Sequence, residues 1–319
     1  MKFTLSLIIT IILGLPVQAQ DTTANAIDST MLQDSIMLRL KKAGEVVLSR
    51  QPDSSRLPAH QDFKSLMDSA LTQNPDSLIA LDSIRNLSVL TTSDSSLRLI
   101  TWLFPFDNGA YKFFGYIQYF NPVDSIWQLK KLKDNHKKIE NPEKSVLTAE
   151  NWYGALYYDL IINENYITLL GWNGYHDQLN QKVIDILHFD STGSPAFGKK
   201  VFAEYGDSVR RVILEYAEDA SVTLEHELIL HQVRIPSENA FMTSMRTKKI
   251  KEKMIYFNRL DPIQPMFEGD RRYYVPLSEK MQGFYFEKGK WVFRDKLTIL
   301  SKNPPEEQEG ILDLNLIGD

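Results

Sequence analysis

Between Leu97 and Phe293 the chain alternates short runs of β-branched and aromatic residues with turn-forming pairs. That alternation restricts it to antiparallel sheets joined by short connections. Leu97–Phe104 is the first such run. Asp107-Asn108-Gly109 follows as a turn, because Asn and Gly tolerate positive φ, and Tyr111–Phe120 returns as the partner strand. Further runs follow at Ser125–Leu132, Tyr157–Ile162, Tyr166–Trp172 and Lys182–Phe189. A meander is expected over Lys200–Ile235, and Lys253–Arg259, Tyr273–Val275, Gly283–Phe286 and Lys290–Phe293 complete the strands. Strand-rich units begin near residues 97, 157, 199 and 253. That spacing resembles propeller blades, and a closed barrel or a pair of packed antiparallel sheets fits the same pattern. The fold class expected is mainly β: an antiparallel meander, propeller-like in spacing, with N-terminal α-helices and one inserted helix.

The helices are expected from a different periodicity. Met31, Ile36, Leu40, Ala43 and Val47 recur at helical spacing, and Phe63, Leu66, Met67, Ala70 and Leu71 form a cleaner amphipathic face. Pro52 and Pro58 are expected to bracket a linker between the two, and Asn74-Pro75-Asp76 to start a third helix. A short helix is expected at Thr148–Leu156. Ser237 to Lys251 has Met242, Met245 and Ile250 as an apolar stripe and Arg246, Lys248, Lys249, Lys251 and Lys253 as a basic face, so it is expected to be an inserted surface helix. The expected organisation is a signal peptide at 1–19, a Ser/Asp-rich helical segment at 20–92, a strand-rich domain at 93–300 and a polar tail at 301–319.

The first residues carry an export signal. Lys2 is a short positive region, Phe3–Leu15 is apolar, Pro16 breaks a helix, and Val17-Gln18-Ala19 suits a signal peptidase. Cleavage near Ala19 leaves Gln20 as the new N-terminus. The apolar run is shorter than the roughly 20 residues that cross a bilayer, and no later segment reaches that length, so the mature chain is expected to be soluble and without a transmembrane segment. The chain has no cysteine, which excludes disulfides, thiolate metal sites and a lipid on sulfur. Its net charge of −5 argues against nucleic acid as a partner. The location expected is the periplasm or exterior of a Gram-negative cell.

The stretches TSDSSLRLITWLFPFDNGAYKFFGYIQY, NPEKSVLTAENWYGALYYDLI, YITLLGWNG with KVIDIL, RRVILEYAEDASVTL and FEKGKWVF resemble an uncharacterised family of secreted Bacteroidetes proteins. The resemblance covers roughly residues 60–296. It implies an envelope or secreted location and an intact strand-rich domain, and it carries no assigned activity.

Trp172-Asn173-Gly174-Tyr175-His176-Asp177 places aromatic, amide, imidazole and carboxylate groups at a strand end. Such a set can stack on a sugar, and an Asp can orient an imidazole for proton transfer. An Asn-Gly turn with Trp172 in the core is the plainer reading. Trp152, Tyr153, Tyr157, Tyr158 and Trp172 could form a carbohydrate platform, though aromatics at this spacing more simply fill a core. Asp159 is the polar member of that strand, and a buried Asp must be paired or protonated. The ligand-binding set expected is therefore Trp172, Asn173, His176, Asp177 and Asp159. Glu225, Glu227 and His231 match no metal signature and fit a solvated strand face, and His188 fits a core or edge position. No metal or cofactor is expected. Nucleotide loops, the nucleophile elbow and helical zinc motifs are missing, so no catalytic residue is assigned. Two functional readings follow. The first is a non-enzymatic envelope module that binds a protein or glycan. The second is a periplasmic glycan hydrolase working through paired carboxylates, which leave no local signature.

Overall fold

The computed structural model describes residues 22–73, 81–85, 87–121, 123–176, 178–236 and 245–304. The signal segment, the Asn74-Pro75-Asp76 motif, the start of the expected inserted helix and most of the polar tail lie outside them. Two α-helices, α1 (Thr22–Val47) and α2 (Asp53–Gln73), precede the strands. Helix α2 begins directly after Pro52 and carries Pro58 in its second turn, so the expected linker between the two prolines is helix instead. A proline this close to a helix start removes few hydrogen bonds.

Three sheets follow. The first is β1 (Ser88–Thr91), β2 (Leu97–Pro105), β3 (Tyr111–Asn121) and β4 (Ile126–Lys133), paired in that order. The expected turn joins β2 to β3, and Gly109 takes φ of 80° there. The second sheet takes β5 (Leu147–Thr148), β6 (Leu156–Asn163), β7 (Tyr166–His176), β8 (Leu179–Phe189) and β9 (Pro195–Phe197), in the order β5-β9-β8-β7-β6. The third has β10 (Phe202–Ala203), while β11 (Val212–Ala217) returns to the second sheet beside β8. Strands β12 (Leu224–Pro236), β13 (Met245–Pro262), β14 (Tyr274–Glu287) and β15 (Lys290–Lys302) finish the third sheet. It closes on itself, because β15 pairs with both β12 and β14.

The layers stack in series. Phe63, Met67 and Leu71 of α2 pack on Ile100, Trp102 and Tyr116 of the first sheet. The opposite face of that sheet, with Leu97, Leu99 and Ile117, packs on Leu169, Val183 and Leu187 of the second. The second sheet's other face, with Leu170, Ile184 and Val212, packs on Ile255, Phe257 and Phe284 of the third. Strands β2 and β8 are therefore covered on both faces, which is why LRLITWLF and KVIDIL are nearly continuous apolar runs. The fold is mainly antiparallel β with helices at the start, as the periodicities indicate. The units expected near residues 97 and 157 begin the first and second sheets, whereas the one expected near 199 divides, with β11 joining the second sheet and β10 and β12 the third.

Two expected helices are corrected. Thr148–Leu156 contains only a single 3-10 turn at Ala149–Asn151 before an extended segment. Met245–Lys251 is strand, forming the start of β13 against β12. Its outer part, Met245–Lys248 against Val233–Pro236, has one partner strand, whereas β15 joins β12 at Ile229–Gln232. A ribbon paired on one side tolerates lysines at successive positions, which mimic a basic helix face. Strict alternation would put Tyr158, Leu160 and Ile162 on one face of β6 and Tyr157, Asp159 and Ile161 on the other, and the structure departs from it. A bulge between Tyr157 and Asp159 shifts the register, so that Tyr157 and Leu160 turn to the same core.

Candidate functional site

The junction of the first and second sheets is built around a pinned turn after β4. Trp152 donates its backbone N–H to the Lys133 carbonyl at 2.9 Å, and its own carbonyl accepts Asn135 N–H at 2.9 Å. This holds Asp134, Asn135 and His136 against the start of the second sheet. The Asp134 carboxylate then gathers three donors: Phe113 N–H at 2.9 Å on Oδ2, and His136 N–H at 3.1 Å and Nδ1 at 2.7 Å on Oδ1. Both side chains are buried, at 2% and 3% exposure. Gly154, with φ of 74°, lies directly beneath Asp134, and a Cβ there would collide with the carboxylate. The result is an imidazole oriented by a carboxylate, the arrangement used to fix a ring's tautomer.

His136 lines two clefts. The first, about 620 Å3, wraps the end of β3: Tyr111 and Phe113 belong to the side facing the second sheet and Phe114 to the side facing α2, and Lys112, Lys131, Lys133, Lys137 and Lys138 line it together with Asp134 and Glu150. Lys131 is paired with Asp68 at 2.9 Å, so the other four lysines, set against Asp134 and Glu150, leave the cleft with an excess of positive charge on a chain of net charge −5. The second, about 520 Å3, wraps the free edge of β11, from Tyr153, Gln181 and Glu215 on the side toward the first sheet to Leu214, Asn258 and Leu260 on the side toward the third, and is lined mainly by polar groups, Glu143 and Arg271 among them.

The residues expected to bind ligand are only partly brought together. Trp172 packs edge-on against Tyr111 at 5.1 Å and Phe113 at 6.3 Å, which makes it a support behind two of the rings that line the first cleft. The close pass of Trp172 and Tyr111 over Gly174 leaves no room for a side chain at that position. Asn173 is fully buried and donates to the Gly154 carbonyl at 2.6 Å, so it secures the backbone beneath Asp134. His176 ends β7, and Asp177 lies outside the described residues. Asp159 sits apart on β6, where its carboxylate accepts Leu160 N–H at 2.8 Å; burial pushes that carboxyl up and nearby Lys253 opposes the shift.

Other groups weighed in the sequence go to structural roles. Trp152, Tyr153 and Tyr157 are core residues. Glu225 and Glu227 both accept from the Tyr256 hydroxyl, while His231 lies between Glu252 at 3.1 Å and Arg294 at 3.3 Å. Asp134, His136, Glu143 and Glu215 were not singled out by the sequence. The first three fall in or beside a Lys-rich connection that resembles a solvated loop. No protein-family model, curated protein or solved structure matches this chain.

Proposed function

We propose that the chain is an exported envelope protein that binds an anionic ligand with an apolar body in the first cleft. The observation that carries this reading is a lining of aromatic rings and lysines with an excess of positive charge on an acidic chain. Aromatic rings supply burial, and a local field of one sign attracts a ligand of the opposite sign. The volume, about 620 Å3, falls in the range of small-ligand sites. Export is supported by Lys2, the apolar run Phe3–Leu15 and the Ala19 cleavage position. Among the described residues, no helix is long and apolar enough to cross a membrane.

The test uses the chain from Gln20 onward and two fluorescent probes of similar shape. One is 8-anilinonaphthalene-1-sulfonate, which is anionic; the other is N-phenyl-1-naphthylamine, which is uncharged. The sulfonate is expected to bind about tenfold more tightly, a difference of about 1.4 kcal/mol, and to weaken as salt rises. Combined Lys133→Glu and Lys137→Glu changes should remove that preference. Equal affinity for the two probes, or a preference untouched by the charge reversals, would count against the reading. Mass analysis of the exported protein should find Gln20 as its first residue.

A further inference from the structure

The second cleft joins groups from three parts of the chain. Glu143 comes from the 3-10 turn Pro142–Lys144, Gln181 and Glu215 from the β8–β11 pair, and Arg271 from the turn before β14. Glu143 runs along the edge of β11 that β8 leaves open. Its carbonyl accepts Arg210 N–H at 2.7 Å and Arg211 N–H at 3.2 Å, and its carboxylate accepts Ile213 N–H. Glu215 stands two residues further along the same strand, a step of about 6.8 Å. It faces Gln181 in the register. The Gln181 amide donates to Glu215 Oε1 at 3.0 Å while accepting the Tyr153 hydroxyl at 2.9 Å. Gln181 is 1% exposed, so Glu215 is aimed by a buried amide held at both ends. One carboxyl enters the cleft from the strand's edge and the other from its face. The two carboxyls are close enough for their charges to interact, and an opposed pair with room for a water between them is what direct attack of water at a glycosidic carbon needs, at roughly 6.5–9.5 Å.

We propose that this cleft hydrolyses a glycosidic bond of an uncharged saccharide, with Glu143 as general acid and Glu215 as the opposing carboxylate. Gln282 also reaches the cleft; its amide nitrogen donates to Asp295 at 2.6 Å, which leaves its carbonyl oxygen to accept from a sugar hydroxyl. The Glu143 proton passes to the glycosidic oxygen as the bond from that oxygen to the anomeric carbon breaks. Water adds to the anomeric carbon and loses a proton to Glu215. Glu215 then releases its proton to solvent, solvent reprotonates Glu143, and nothing is oxidised or reduced. Burial pushes the Glu143 carboxyl up, and the Glu215 charge adds to the shift; the Ile213 N–H, Lys144 and Arg271 oppose it. A carboxyl shifted upward suits a general acid. The proposal does not depend on what occupies the first cleft.

The experiment offers the chain from Gln20 a panel of 4-methylumbelliferyl α- and β-glycosides of glucose, galactose, mannose and N-acetylglucosamine. Release of the fluorophore from at least one is expected, with loss of activity on the alkaline side as Glu143 gives up its proton. Glu215→Gln should lower kcat by at least about 100-fold. Glu143→Gln should flatten the alkaline limb, which a purely structural role would not do. Both replacements keep an oxygen that can accept the Ile213 N–H or the Gln181 amide, and matching melting curves would confirm intact folding. No release from any glycoside overturns the proposal. So do rates and pH profiles unchanged in both variants.

Discussion

At the scale of single residues, the least replaceable groups are polar ones buried between the first and second sheets. Arg211 and Asp185 are both fully buried and meet at 2.8 Å. Tyr157 donates to Asp185 at 2.9 Å, Trp152 donates to the Tyr157 hydroxyl at 3.2 Å, and Arg211 Nη1 donates to the Pro142 carbonyl at 2.5 Å. This chain of contacts ties the core to the residue just before Glu143. Removing one member of a buried ion pair leaves the other charge uncompensated and costs about 3–5 kcal/mol. Asp185→Ala should therefore lower the urea midpoint sharply. Combined Asp185→Leu and Arg211→Met should cost less than Asp185→Ala alone, because neither charge is then stranded. Equal or greater loss in the double variant would contradict this account. The sequence hints at half of the arrangement. Asp185 interrupts VIDIL as Asp159 interrupts its own strand, but nothing local says that Asp185 has a buried partner, Arg211, just before β11 and that Asp159 does not.

At the scale of elements, helix α2 shows what periodicity does and does not disclose. Phe63, Leu66, Met67, Ala70 and Leu71, the face legible in the sequence, are all buried. His60 on the same helix was not legible as part of that face. It accepts the Trp102 indole N–H at Nε2, at 3.1 Å, and lies against Phe104 and Phe114. Burial, then Lys64 and Lys112, depress its pKa from 6.5 to about 4. The folded pKa is below the unfolded one, so the folded state prefers the neutral ring. Its contribution, at most about 3 kcal/mol, is complete above pH 6.5 and is lost as pH falls toward 4. Stability measured by urea should decline over that window, and His60→Gln, which keeps an acceptor for Trp102, should lessen the decline. Part will remain, because burial and Lys253 also depress His226 to about 4. A pH dependence identical in His60→Gln would exclude His60 as a contributor. The features that escaped the sequence at this scale, the bulge at Tyr158 and the ribbon at Met245–Lys251, are both decided by partner strands rather than by local pattern.

At the scale of the whole molecule, the second sheet is the shared middle layer. Its two faces serve different cores, so strain in one outer layer is passed on through β8. Phe284 tests this directly. It is fully buried in the third sheet, with ring contacts to Phe202 at 5.3 Å, Tyr205 at 5.2 Å, Phe257 at 5.8 Å and Phe293 at 5.4 Å. It belongs to the same packed cluster as Ile184 and Val212 of the second sheet. Truncation to alanine leaves a cavity and should cost about 3–5 kcal/mol. If the layers unfold as one unit, hydrogen exchange of the slowest amides in β2 will accelerate in Phe284→Ala as much as those in β13. This should hold even though β2 lies two layers away, because those amides open only through global unfolding. Acceleration confined to β12–β15 would instead make the third sheet a separate cooperative unit. The second cleft also spans that boundary, drawing Glu143 and Glu215 from one side and Arg271 from the other. Independent opening of the third sheet would disassemble the cleft while leaving the lysine-lined first cleft intact, so the exchange pattern also tells whether the two clefts can be lost separately.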